Sequence, residues 1–235
     1  MKRLVLLFLI MAVSSSYGYA QDADQPDIVK RTQAAAQVLE EIMGTPDQGI
    51  PSEILDGAEC VAITPSMFKA GIGIGGSYGR GVASCRTPNG WSAPAPYAVA
   101  GGSWGLQFGA QAVDVVMLVM NRQGVNNLLS SKFKIGADAS AAAGPVGRHV
   151  SAGTDWKMRA QVLTYSRARG VFAGATLNGA AIKQDKDSTR ILYGRMVPFE
   201  DILSGRIANP QGTTSLTEVL ERFSPRDAET EKAGE

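Results

Sequence analysis

Apolar and polar positions change period twice along the chain. From Asp27 to Met43, Ile28, Ala35, Val38, Leu39 and Ile42 recur at helical spacing. Lys30, Arg31, Gln33, Gln37, Glu40 and Glu41 fill the opposite face, so the pattern predicts an amphipathic helix. A membrane-surface helix is usually more basic, which favours packing on the rest of the domain. Pro51 to Ala58 reads as a second short helix with proline near its first turn. From Glu59 the helical period disappears. Cys60–Ile63 reads as a strand closed by Thr64-Pro65, and the Gly/Ile alternation of 70–77 as another, paired with 79–86. Thr87-Pro88-Asn89-Gly90 is a turn signal.

Tyr97 to Gln111 is again punctuated by glycine, and Val113 to Met120 is a nearly continuous apolar strand that contains Asp114. Arg122 to Ser131 suits a short helix. Lys132 to Ala143 alternates, with Ile135, Ala137, Ala139 and Ala141 expected on one face. Met158–Arg167 and Val171–Gln184 complete the strands. Helix returns at Pro198–Ser204, stopped by Gly205, and after Ser215-x-x-Glu218, a capping-box pattern. The expected fold is α+β: a Gly-rich antiparallel β-sheet core with flanking N- and C-terminal helices.

The N-terminus looks like a targeting segment. Lys2 and Arg3 precede ten apolar residues, Leu4 to Val13, which is too short to span a bilayer. Gly18-Tyr19-Ala20 fits the small-x-small cleavage pattern, so cleavage is expected after Ala20. Residues 1–20 are then a signal peptide, 21–49 a helical flank, 50–205 the main domain, and 206–235 a C-terminal helix with a charged tail. No cysteine follows the cut to carry a lipid anchor. The expected location is periplasmic or secreted.

Charge sharpens this picture. Residues 21–59 hold 2 basic and 9 acidic side chains, a net of −7. Residues 60–200 hold 15 and 6, a net of +9, and residues 201–235 hold 4 and 7, a net of −3. A basic middle between acidic flanks either attracts an anionic partner or is neutralised by those flanks. Nucleic acid would suit the charge, but export and an aromatic content of 7% argue against it.

The motifs for chemistry are weak. Gly71-x-Gly73-x-x-Gly76 fits a dinucleotide fingerprint, but no helix start and no acid about 20 residues on follow it. Gly101-x-Ser103-x-Gly105 fits a nucleophile elbow, and Asp114 or Asp138 and His149 follow in hydrolase order. Gly75-x-Ser77-x-Gly79 fits the same pattern, so glycine content alone produces it. A serine hydrolase is the least favoured of three readings. Asp114 suits a structural carboxylate, paired with an arginine or backbone amides, better than a catalytic acid. Trp91, Trp104 and Trp156 suit core packing better than interfacial anchoring. Cys60 and Cys85 have the chance to pair in an oxidising compartment, a matter that sequence leaves open. With His149 they make three ligands, short of the usual four for zinc, and no cofactor is expected.

Several stretches together resemble the SYLF domain. They are Lys69-Ala70-Gly71, Gly75-Gly76-x-x-Gly79-x-Gly81, Trp91-Ser92-Ala93-Pro94, and Gln107-x-Gly109 followed by Asp114 and Asn121. The most specific are Ala142-Ala143-Gly144-Pro145-Val146-Gly147-Arg148 and Tyr165-Ser166-Arg167-x-Arg169-Gly170-x-Phe172-Ala173-Gly174. The resemblance covers about residues 50–205 and implies a non-catalytic module. Eukaryotic members bind phosphoinositides, and some act on actin assembly through partner domains. What it implies here is binding of anionic phospholipid head groups at a membrane surface, with a structural or protein-interaction role in the cell envelope as the alternative. Lys69, Arg148, Arg167 and Arg169 lie within the family-like stretches and are the lipid-binding candidates. Arg80, Lys132, Lys134, Lys157 and Arg159 are basic neighbours. Gly75, Gly76, Trp91 and Asp114 are the structural candidates.

Overall fold

A computed structural model describes residues 25–45, 49–130, 132–147, 160–168, 171–174, 177 and 179–225. The signal-peptide expectation for residues 1–20 lies outside them. Two long strands dominate: β1 (Cys60–Thr87) and β3 (Ala95–Val119), antiparallel over almost their whole length. Between them the Thr87–Gly90 turn leads into β2 (Gly90–Trp91), with Gly90 at φ 104°.

The strand pairing expected within 70–86 is absent. Neither Gly76 nor Gly79 takes a positive φ, so the backbone does not reverse there and continues as one strand. The stop expected at Thr64-Pro65 is instead a bulge, with Ser66 at φ 50° and a register shift between Thr64 and Met67. Likewise 97–111 and 113–120 form one strand, β3.

β1 is far from straight. At about 3.3 Å per residue, the steps from Cys60 to Cys85 would run roughly 80 Å. Yet a disulfide joins these two cysteines, with Cα atoms 3.9 Å apart. The Arg86 N–H also donates to the Glu59 carbonyl at 2.8 Å. The ribbon has therefore curled until its two ends meet. Glycine makes the closure possible: a Cβ on Gly81 would lie 2.2 Å from the Ile63 carbonyl oxygen, and one on Gly79 2.4 Å from Thr64 Cγ2. Thr64 and Tyr97 hydroxyls, 2.7 Å apart, tie the curl inside the core.

The sheet grows outward from β3. Its C-terminal half pairs with β6 (Val162–Ala168), which pairs in parallel with β5 (Ala141–Ala143) and antiparallel with β7 (Val171–Gly174). Its N-terminal half pairs with β8 (Ala181–Gln184), whose other neighbour is β4 (Lys132–Lys134). The 132–143 alternation is not one strand. Gly136 at φ 86° reverses the chain, Ile135 and Ala139 are buried, Ala137 is exposed, and the Asp138 carboxylate accepts from the Lys134 N–H at 2.7 Å.

Helices cover the sheet: α1 (Asp27–Met43), α2 (Ser52–Asp56), α3 (Arg122–Leu129), α4 (Lys186–Tyr193), α5 (Phe199–Leu203) and α6 (Thr214–Phe223). α1 buries Ile28, Ala35, Val38, Leu39 and Ile42 in one core with Leu118, Leu163, Leu216 and Leu220. The other core holds Met67, Val99, Val115, Met117, Phe133 and Phe199. β3 lies between the two, which is why Val115–Val119 is apolar on both faces. The Ser215 capping box does not form. α6 begins at Thr214, so Ser215 lies inside the first turn, and its buried hydroxyl has no hydrogen-bond partner among the described residues. Among the described residues, no helix is long and apolar enough to cross a membrane.

A candidate anionic-ligand face

Strand register sets three cations in one row. Arg80 pairs with Ala98, Ala98 with Lys183, and Lys183 with Lys132, across β1, β3, β8 and β4. Paired residues share a face of a sheet, so Arg80, Lys183 and Lys132 project to the same side. One row on, Tyr78 pairs with Ala100, Ala100 with Ala181, and Ala181 with Lys134. α4 follows β8 directly and adds Lys186 and Arg190. The result is an open groove of about 820 Å³, whose lining includes Tyr78, Arg80, Lys132, Lys183, Lys186 and Arg190, against the carboxylates Asp185 and Asp187.

The cations in this groove differ in how they are held. Arg80 Nε donates to Asp185 at 2.8 Å, its guanidinium donates to the Ser188 hydroxyl at 2.8 Å, and Asp27 of α1 lies 3.6 Å away. Hydrogen bonding to Asp185 raises the Arg80 pKa. Arg31 of α1 reaches the same carboxylate at 3.6 Å. Burial pushes the Asp185 pKa up, but donors from the Ser188 amide, Arg80 and the Ser188 hydroxyl outweigh it, and the carboxyl sits below its usual value. Asp185 also caps α4 through the Ser188 N–H at 3.1 Å. Arg190 pairs with Asp187 on the exposed helix face. Lys132, Lys183 and Lys186 are exposed and have no ion pair among the described residues.

A family model described as "Ysc84: Las17-binding protein actin regulator" matches residues 100–223 of this architecture. The chain belongs to the Ysc84 (SYLF) family. It is 31% identical over 199 residues to the SH3 domain-containing YSC84-like protein 1 of Bos taurus, covering 82% of this chain and 58% of that protein. The Homo sapiens protein of the same name is 30% identical with the same coverage. The LAS seventeen-binding protein 3 of Saccharomyces cerevisiae is 34% identical over 200 residues, covering 81% of this chain and 43% of its own length. This chain therefore spans about half the length of the relatives it matches. The family description and the yeast name denote binding proteins.

Within this SYLF chain the other candidates have separate places. Arg167 Nε donates to Asp114 Oδ2 at 2.8 Å and its guanidinium also pairs with Glu41 of α1. The Ser66 N–H donates to the other Asp114 oxygen at 2.9 Å, so this carboxylate holds the bulge as well as the arginine. Lys69 stands eleven positions from Arg80 on one strand, hence on the opposite face, and partial burial lowers its pKa. Arg148, Lys157, Arg159 and Arg169 lie outside the described residues, as do His149 and Trp156. Trp91 is buried, its indole N–H donates to the Ser224 carbonyl at 3.3 Å, and Arg86 stacks 4.6 Å from its ring centre. Gly75 and Gly76 pair with Ser103 and Gly102 in the hairpin; a Cβ on Gly76 would meet nothing within 4 Å. Ser103 sits mid-strand, not on a strand-to-helix turn, so the elbow geometry is missing at that residue. Among the described residues no acid, histidine and cysteine cluster could hold a metal.

Sequence reading missed Lys183, Lys186 and Arg190. The usable signal was Lys183 alternating with buried Ile182 and Gln184 in a short strand, which marks it as outward-facing. Its pairing with Lys132, about fifty residues away, has no local signature.

Proposed function

We propose that this chain is a non-enzymatic binding protein that docks on anionic phospholipid head groups through the β1–β3–β8–β4 face. The observation that carries the reading is the convergence of Lys132, Lys183 and Lys186, unpaired among the described residues, on one open groove. Each cation near an anionic surface contributes about 1 kcal/mol, so three give weak, reversible attachment that salt erases. Flotation with phosphatidylglycerol-containing vesicles should fall steeply from low to high salt, and binding equal to that on neutral vesicles would overturn the reading. A second reading, supported by the relatives' names, is a protein partner. Pull-down that survives loss of vesicle binding would favour it.

Export is part of this proposal. The positive start, the apolar run and Gly18-Tyr19-Ala20 support cleavage after Ala20 and a periplasmic or secreted protein peripheral on a membrane. Mass spectrometry of exported protein should place Gln21 at the N-terminus; a mature chain retaining Leu4–Val13 would refute this.

A further inference from the structure

The middle of the long hairpin differs from both its ends. Third strands pair with β3 at Tyr97–Ala100 and at Asp114–Val119. Between those stretches, residues 101–113 of β3 pair only with β1 among the described residues. This two-stranded ribbon contains no charged residue in 70–76 or in 101–110. Its backbone register sets Ile72 opposite Phe108 and Ile74 opposite Trp104. At its two ends stand Phe68 and Tyr78, 52% and 53% exposed, ten positions apart and thus on one face of β1. Their partners Ala112 and Ala100 are exposed too. Tyr78 lines the cationic groove itself, and Arg80 follows two positions on, on the same face.

We propose that the ribbon of residues 68–78 and 100–112 is a membrane-dipping element that enters the head-group layer of an anionic membrane while the adjoining lysines hold its phosphates. The inference rests on the lipid-binding reading above and adds the surface that contacts the lipid's apolar part. Charge complementarity selects the occupant: at Tyr78 the exposed face continues into the groove that holds Lys183 and Lys132, unpaired among the described residues, so whatever covers it is apolar below and anionic above. A phospholipid interface has that order, and aromatic side chains favour its boundary. Depth is limited by the backbone. With no third strand among the described residues, the ribbon has outward N–H and C=O groups that hydrocarbon cannot satisfy, so it stays at head-group depth and does not span.

The test uses the full exported chain and vesicles of phosphatidylglycerol and phosphatidylcholine, with and without bromine on the acyl chains. Tyr78→Trp and Phe68→Trp place reporters at the two ends of the ribbon. At low salt, the emission each variant adds over the parent should drop about twofold on brominated vesicles. A double Phe68→Ser, Tyr78→Ser variant should float with roughly tenfold weaker affinity, with its thermal midpoint unchanged. If the parent floats but neither reporter is quenched, the ribbon stays in water: this inference falls and the electrostatic reading stands. If the parent does not float, both fall. Loss of self-association in the double variant, with flotation unchanged, would assign the ribbon to a second copy of the chain and overturn the proposal.

Discussion

Arg167 and Lys183 are cations on one sheet, yet their surroundings are opposite. Arg167 lies between Asp114 and Glu41, with its carboxylate partner also fixing a backbone bulge. Lys183 stands in an open groove beside Lys132, with no ion pair among the described residues. The acidic N-terminal flank folds back onto the basic middle at Arg167 and Arg80, and among the described residues it makes no ion pair with Lys132 or Lys183. Net charge by segment therefore does not locate a ligand face; the distribution of internal partners does. The end braced by Arg167 should govern stability, and the open face should govern binding.

The comparison breaks first where the ribbon closes on itself. Gly81→Val should prevent folding, because its Cβ would sit 2.2 Å from the Ile63 carbonyl oxygen. Gly76→Ala, with open space around it, should change stability by no more than about 0.5 kcal/mol. Soluble expression and thermal melting compare the two; a well-folded Gly81→Val would disprove the curled closure.

The disulfide comes next. Replacing Cys60 and Cys85 by alanine should cost about 3 kcal/mol, since the bond closes a loop 25 residues long. Denaturant melts measure it, and thiol counting on denatured, unreduced parent should find no free thiol. Asp114→Ala should cost about 1 kcal/mol by removing the acceptor that holds the Ser66 bulge and by loosening Arg167, with vesicle flotation unchanged. A large loss of flotation at constant stability would move Arg167 into the ligand face.

The open face should answer in reverse. Lys132→Glu with Lys183→Glu should abolish flotation on anionic vesicles while stability moves by less than about 0.5 kcal/mol. The smallest effect lies in acid. Asp185 has a folded pKa below the ordinary 3.8, so its contribution is fully present above that value and is lost as pH falls through the lower folded pKa. Melting curves of parent and Asp185→Asn should differ above pH 4 and converge in stronger acid. Curves that stay parallel would remove the Arg80–Asp185 link.

Much of this was legible from residues alone. α1 is apolar at Ile28, Ala35, Val38, Leu39 and Ile42, and those five positions are buried. Thr87-Pro88-Asn89-Gly90 turns the chain, and Gly205 stops α5 at φ 76°. Asp114, an acid in an apolar strand, is partly buried and has an arginine and a backbone amide as partners. These features are local: a helical stripe, a turn and a lone carboxylate each bring their physical requirement with them.

Other expectations failed where glycine has two uses. The glycine-rich 70–77 was expected to pair with 79–86, but glycine at 79 and 81 clears room for another part of the same strand. Composition cannot separate a residue chosen for positive φ from one chosen for missing volume. In the sequence Lys69 stood within a family-like stretch, whereas Arg80 and Lys132 were only basic neighbours. Face parity along β1 then separated Lys69 from Arg80, and pairing of β8 with β4 joined Lys132 to Lys183. By itself the sequence determined the described helices other than α4, the main turn, the basic middle and the family, because each depends on near neighbours or on motif order. Only the tertiary structure decided which cations are neutralised and which share a groove. Ion pairs such as Arg80–Asp185 form between residues more than a hundred positions apart, and only the curl of the sheet brings them together.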